Sequence, residues 1–488
     1  MSYNILKLKL QTLPLWLKRD VPALPLDIFR VLVGILAFAY FLCILREVPD
    51  FSAPDGLLDH ELLHRIFWYI RLSLFQPGMP AWSFYSVFAL ACVGALGIII
   101  GYRVKLCAGV LFAIAVSTYR WNFIVMNVDD ALMHFSLFWL LLLPVGQTLV
   151  WRDWRQEGAA CFNRWCGLTV PGTAVRCLLV NVCLVYLIAG LWKLESPFWR
   201  DGFALYAILR LPVAYMPDLW QPHHLPILRA MSYLALIVEL LLPVLLTSSR
   251  GHWLKWIGLC GQVGFHLGII ITLKVPFANL ALMATAVLFL RDEIMQRVLR
   301  HRPETPTRSY RPRFHRLTSR LAIVVVVVIP FAMTSGLPIL GALCTPARAV
   351  LWAMGVAQEY KLFDWVDRKN YRVEYDVNIM QTNGQAYKLP SDDLFPSSPH
   401  GLLVQTYLYD VYWSPLPDGT RPLVKKSIMT RAAKRFCRRR PMTATASVWA
   451  NVQRVESANI DLTHSEKRFI MRFRCQQTGT HLTATMMD

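Results

Sequence analysis

Residues 186–202 read YLIAGLWKLESPFWRDG, an apolar run that stops at one lysine, Lys193, and turns polar, with Gly202 closing the stretch. The residues up to Lys193 have the composition of a helix that crosses a membrane, for which about 20 apolar residues suffice. A lysine in that place has two readings. Its ammonium can snorkel to the interface while its stem stays in the apolar layer. Alternatively it edges an apolar cavity, loses solvation and offers a neutral amine as a base. Around it the sequence follows the pattern Y-x-x-A-G-x-x-K-L and then W-x-x-G, carried by Tyr186, Ala189, Gly190, Lys193, Trp199 and Gly202, with Trp192 just before the lysine.

The rest of the chain agrees with a membrane setting. Its 488 residues are 55% hydrophobic and only 17% charged. Several apolar runs reach membrane length, which no single signal peptide explains. The formal charge of +20 lies mainly between these runs and in the tail, so it reports topology and contact with membrane lipid; no nucleic acid partner is expected. The eleven cysteines include no Cys-x-x-Cys pair and no zinc-like spacing, so neither a metal site nor a disulfide framework is expected. Cys437 and Cys475 stand apart in the tail, a pair that joins only if the tail lies in an oxidising compartment.

The expected fold is an all-α polytopic membrane bundle of about nine transmembrane helices with a small α+β external C-terminal domain. Residues 1–26, with Lys7, Lys9, Lys18 and Arg19, form a basic interfacial segment. Residues 27–343 hold the spans, near 28–45, 82–100, 106–125, 131–150, 174–192, 231–246, 256–273 and 275–290, with a last one opening at Leu321. The seventh and eighth nearly touch at Lys274 and Pro276, so one is short or re-entrant. Arg30, one turn inside the first span, either snorkels or pairs with an acid of the bundle; Glu239 and His266 must face protein.

Alternate connections are basic: the N-terminus, Arg103 with Lys105, Arg152 with Arg155 and Arg164, Arg250 with Lys255, and residues 291–320. The others carry acids: Asp50, Asp55, Asp59 and Glu61, then Asp129 with Asp130, then Glu195 with Asp201. This pattern predicts a multi-pass cell (inner) membrane protein with a cytoplasmic N-terminus and a periplasmic or luminal C-terminal domain. Lys193, Asp129 and Asp130 then share the external side. In the tail, 344–488, alternating stretches at 371–380, 446–455 and 467–475 read as strands, Asn383-Gly384 as a hairpin turn, and 423–437 as a basic helix. The cluster Arg435, Arg438, Arg439 and Arg440 reads as a solvated or lipid-touching helix face.

These residues resemble the horizontally transferred transmembrane (HTTM) domain proteins, whose best-known member is the vitamin K-dependent gamma-carboxylase. The likeness rests on the Lys193 motif and, beside it, on LDIFRVL with Arg30, NVDDAL at 127–132, VELLLP with Glu239, GQVGFHLGI with His266, and a β-rich tail after the last span. In the carboxylase a lysine in this motif is taken to deprotonate vitamin K hydroquinone; oxygenation then gives a strong base that removes a glutamyl γ-proton, and CO₂ adds. The resemblance implies a quinol-linked site with Lys193, Asp129, Asp130 and His134 as its catalytic groups and Tyr186, Trp192, Trp199 and His266 around the cofactor. It also implies vitamin K or another quinol arriving from the bilayer, and a peptide or protein substrate. Two departures stand out: Val128 and Asp129 replace an asparagine-histidine pair, and the tail is short. Some relatives serve peptide maturation, so a non-catalytic membrane partner in maturation or export of a peptide or toxin is the alternative. Asp129 and Asp130 also have a plain reading, as caps of the helix they open.

Overall fold

The computed structural model describes residues 15–249, 253–299, 308–334, 338–356, 363, 371–381, 384–409, 419–440, 444–454, 465–478 and 481–487. Lys7, Lys9, Arg250 and Asn383 of the expectations above lie outside them. The principal helices of the first part are α1 (Ala23–Arg46), α2 (His60–Ile66), α3 (Ala81–Ile100), α4 (Val104–Trp121), α5 (Val128–Leu142), α6 (Thr173–Glu195), α7 (Leu225–Leu246), α8 (Trp253–Thr272), α9 (Pro276–Ala284), α10 (Ala286–Phe289), α11 (His315–Thr334) and α12 (Pro338–Met354). Among the described residues six helices, α1, α3, α4, α6, α7 and α8, are long and apolar enough to cross a membrane. Their outer faces stay apolar, as Leu90, Val93 and Leu96 of α3 and Ile237, Leu241 and Val244 of α7 show by their exposure. In water such faces would drive association, whereas in lipid they need no partner.

Three of the nine expected spans take a different shape: the last, opening at Leu321, falls across α11 and α12, and the other two differ for local reasons. α5 stops at Leu142 because Pro144 cannot continue a helix and restricts the residue before it. The carbonyls so freed are taken by the Lys105 ammonium, which donates to Leu140 at 2.9 Å and Leu141 at 2.7 Å. The 275–290 stretch breaks at Thr285 into α9 and α10. There the Leu282 carbonyl accepts from the Gln262 side chain of α8 at 3.0 Å and from the Thr285 hydroxyl at 2.6 Å, which is how a broken helix is tolerated at membrane depth.

Arg30 and Asp27 form the expected pair at 2.7 Å, both fully buried. The carboxylate also accepts from the backbone of Gly146, Gln147 and Thr148 and from the Thr148 hydroxyl. The guanidinium reaches the carbonyls of Ile98, Ile99, Thr148 and Leu149. One pair thus ties α1 to the end of α3 and to the connection after α5. From there α5 packs on α4 and α9, α6 on α7 and α11, and α8 on α7 and α9.

The C-terminal region carries β1 (Tyr371–Gln381), β2 (Ala386–Leu389), α13 (Pro399–Tyr409), α14 (Arg421–Arg439), β3 (Ala444–Arg454), β4 (Ser465–Thr478) and β5 (His481–Met487). The strands form one antiparallel sheet in the order β2-β1-β3-β4-β5, with β1 and β2 paired as the expected hairpin. Alternation decides its faces: Val373, Tyr375, Val377 and Ile379 of β1 are buried, with Val448 of β3 and Phe473 of β4. Phe436 of α14 meets Phe473 edge-on at 5.5 Å between ring centres, and a Cys437–Cys475 disulfide joins α14 to β4.

The basic face of α14 is partly solvated as expected, Arg438 and Arg439 being 48% exposed, but it also faces acids of the bundle. Arg435 pairs with Asp50 at 2.9 Å, Arg438 with Asp55 at 3.4 Å, and Arg440 with Asp393 at 2.7 Å; Arg439 lies 4.0 Å from Asp50. Arg431 adds the Gly56 carbonyl, and Ser427 donates to Asp59. The like charges are tolerated on one helix because the acidic connection after α1 lies against it. That contact seats the sheet region on the end of the bundle that holds Glu47, Asp130 and the residues after α6.

Candidate functional site

Lys193 faces inward. Two turns of α6 place Tyr186, Ala189 and Lys193 on one face, since positions three, four and seven apart superpose on a helix. The Lys193 ammonium lies 2.5 Å from each oxygen of Glu239 on α7, with both side chains almost wholly buried. It also stands 5.0 Å from the ring centre of Trp199, a cation–π distance. Trp199 is held in turn by its indole N–H, which donates to the Phe363 carbonyl at 2.8 Å.

The motif's glycines explain the approach. A Cβ on Gly190 would come 2.8 Å from Cδ2 of Leu240, beside Glu239, so a small residue here lets α7 pack close against α6 at the level of the carboxylate. Gly202 has φ +77°, and a Cβ there would meet Arg229 of α7 at 2.4 Å.

Two turns below Lys193 lies a second polar group. Tyr186 meets His266 Nε2 at 2.6 Å, and His266 Nδ1 meets the Asn279 side-chain oxygen at 2.7 Å. Asn279 uses its amide nitrogen on the Val275 carbonyl, so its oxygen accepts from His266 Nδ1. Nε2 is then the acceptor, and the Tyr186 hydroxyl donates to it. Gln262 also donates to the Tyr186 oxygen at 3.2 Å.

Between the two polar groups is a cavity with about 40 Å³ open to water-sized molecules, room for two or three waters. Its polar lining is Tyr186, Lys193, Glu239, His266 and Asn279; Ala189, Val185, Leu132, Phe265 and others supply the apolar walls. α9 forms one wall through Ala278, Asn279 and Leu282.

The other expected site residues divide. Trp199 stands over Lys193, whereas Trp192 is half-buried and outside the cavity lining among the described residues. Asp129 does not line the cavity; it accepts from the Ala278 N–H at 2.7 Å and so caps α9. Asp130 closes a capping box with Asn127 at the start of α5, accepting from that backbone N–H at 2.7 Å, and accepts from the Tyr40 hydroxyl at 2.7 Å. His134 is buried one turn further in, edge-on to Tyr119 at 5.1 Å, and is likewise outside the lining.

Sequence reading left Glu239, Asn279 and Gln262 out of the site. Glu239 had a usable signal, since an acid inside a membrane-length run needs a partner. Asn279 and Gln262 had none.

Residues 19–293 match the family model of the HTTM domain, a stretch that contains every residue of this cavity except Phe363. No curated protein and no solved structure matches the chain.

Proposed function

The chain belongs to the HTTM domain family, and on that premise we propose that it is a membrane enzyme in which Lys193 and Glu239 together take a proton from a lipid-soluble quinol such as vitamin K hydroquinone. The observation that carries the reading is the Lys193–Glu239 pair at 2.5 Å, buried and open to a cavity. A bound quinol would supply a hydroxyl proton and reducing electrons. Lys193 hands a proton to Glu239, takes the hydroxyl proton as a neutral amine and is left as an ammonium beside the oxygen that released it; Trp199 holds that ammonium in place. Tyr186, His266 and Asn279 order the far end of the cavity. The donor set and apolar walls suit a quinol ring, but the space is too small for one, so α6 or α7 moves aside for entry from the bilayer.

The same proposal includes the membrane setting. Residues 1–26 form an interfacial segment, 27–343 a bundle of about nine crossings and 344–488 an external domain, with the N-terminus cytoplasmic. Three features support it: the alternation of basic connections, the docking of the C-terminal region on the acidic end of the bundle, and the Cys437–Cys475 bond, which belongs in an oxidising compartment. A reporter fused after Asp488 is expected to behave as periplasmic or luminal.

The test uses purified full-length protein with vitamin K hydroquinone, labelled CO₂ and a glutamate-containing peptide. Quinol-dependent incorporation is expected in the parent. It is expected to fall at least about a hundredfold in Lys193→Arg and in Glu239→Gln, because arginine keeps the charge but gives up no proton and the amide accepts none. If Lys193→Arg is as active as the parent, Lys193 is a structural cation. If no variant or parent incorporates label and a peptide or protein co-purifies, the alternative role as a non-catalytic partner in peptide maturation takes its place.

A further inference from the structure

Outside the cavity lies another buried cluster of titratable groups, completed by a residue of the C-terminal region. His400, in the first turn of α13, is 8% exposed. Its Nδ1 lies 2.5 Å from Glu47, the residue that ends α1, and its Nε2 lies 3.3 Å from Asp130 at the start of α5. Both ring nitrogens face carboxylate oxygens, which only accept. The ring therefore carries both protons and sits as an imidazolium between two anions. Phe51 closes the cluster edge-on at 6.0 Å.

The cluster does not end there. Asp130 also holds the Tyr40 hydroxyl, and the Tyr40 ring packs edge-on against Phe277 of α9 at 5.6 Å. Asp129, its neighbour, caps α9 at Ala278. The next residue, Asn279, orients His266, which orients Tyr186 in the cavity. An unbroken run of short contacts thus leads from α13 to the cavity wall.

We propose that the C-terminal region supplies His400 as a positioning residue for the Lys193 cavity, its imidazolium fixing the start of α5 and, through Asp129 and Tyr40, the start of α9. The argument is one of alternatives. Without the cation, Glu47 and Asp130 would face each other across a buried space with one donor fewer, a costly arrangement that relaxes by moving α5 away from α1. α9 has nine residues, too few to hold its own register, so the cap at Ala278 and the packing of Phe277 set it.

Burial alone would lower the proton affinity of His400, but Asp130 and then Glu47 outweigh it and hold the imidazole well above its ordinary range. The groups facing it are Glu47, Cys43 and Tyr40 from α1 and its end, and Asp130 with Asp129 from α5; Asp50 next to Phe51 is occupied by Arg435. The sign follows. A group whose folded-state value is raised contributes its full stabilisation below the ordinary imidazole value of about 6.5 and loses it as pH climbs through the raised value.

The test is hydrogen exchange on the full chain in detergent or lipid discs, read as protection of residues 276–284 relative to α3. It rests on the cavity's being the working site only for its interest, and its readout stands whether or not the protein shows quinol-dependent activity. His400→Gln is expected to lower the relative protection of 276–284 by about tenfold or more, the scale of local opening. In the parent that protection is expected to fall as pH rises above the imidazole range. His400→Lys, which keeps a cation, is expected to restore part of it and to hold it at pH values where the parent has lost it. Unchanged relative protection in His400→Gln overturns the proposal, as does a loss shared equally by α3, and so does a pH profile identical in the parent and His400→Lys.

Discussion

Two buried ion pairs sit at opposite ends of this bundle and are built differently. At one end every polar atom of Asp27 and Arg30 is used: the carboxylate takes three backbone N–H groups and a hydroxyl besides the guanidinium, and the guanidinium reaches four carbonyls. At the other end, among the described residues, Glu239 accepts from Lys193 alone, the Lys193 ammonium has only the Trp199 ring besides, and both border open space. The saturated pair is a joint between helices. The unsaturated pair has capacity to spare for a ligand or a proton.

If that contrast is right, breaking the joint has the largest effect on folding. Arg30→Ala leaves a buried carboxylate and four carbonyls short of a donor, and loss of one partner of a buried pair costs about 3–5 kcal/mol. Poor yield and the loss of a monodisperse species in detergent are expected. A variant that purifies with an unchanged melting temperature would show the joint to be dispensable.

The second pair is expected to respond to rescue where the first does not. Lys193→Met alone strands Glu239 and destabilises the protein; adding Glu239→Leu removes the stranded charge, and apolar replacement of a whole buried pair is often neutral or better. The double variant is expected to melt within about 1 kcal/mol of the parent and to lack activity. Replacing Asp27 and Arg30 together is not expected to recover, because the backbone groups they serve would stay unpaired. Equal recovery at both ends would erase the distinction.

A smaller effect is expected at the contact that brings Glu239 to Lys193. Gly190→Ala places its Cβ against the flexible end of Leu240, which can turn aside. Gly190→Leu cannot be so accommodated; overpacking of about 1–3 kcal/mol is expected, along with separation of α6 from α7. Thermal unfolding and activity together check it, since the ion pair should fail before the fold does.

How far the sequence revealed this depends on distance along the chain. Asp27 and Arg30 stand three apart, so helix geometry alone brings them together, and the Lys193 motif is contiguous. Glu239 lies 46 residues from Lys193 on an outwardly apolar helix, and nothing local says which face of α7 turns inward. The acids at Asp50, Asp55 and Asp59 and the arginines of α14 were each legible as charge clusters, but their complementarity spans more than 300 residues and shows only when the sheet region is seated. Pro144 was a local signal, and reading hydropathy past it made α5 too long.

The smallest expected effect is at Asp129, and it bears on whether the cavity's neighbours are scaffold or chemistry. Its carboxylate accepts from the Ala278 N–H at the positive end of α9 without lining the cavity among the described residues. Asp129→Asn keeps an oxygen for that N–H and removes only the charge, a dipole interaction of about 0.3–1 kcal/mol, rising toward 2 where partly buried. A positioning role therefore predicts a melting temperature lowered slightly and quinol-dependent turnover reduced by no more than about thirtyfold, the activity equivalent of about 2 kcal/mol. A loss as large as that of Lys193→Arg, in a protein that melts like the parent, would instead place the Asp129 carboxylate among the groups that handle the proton, and the wall formed by α9 would have to open toward it.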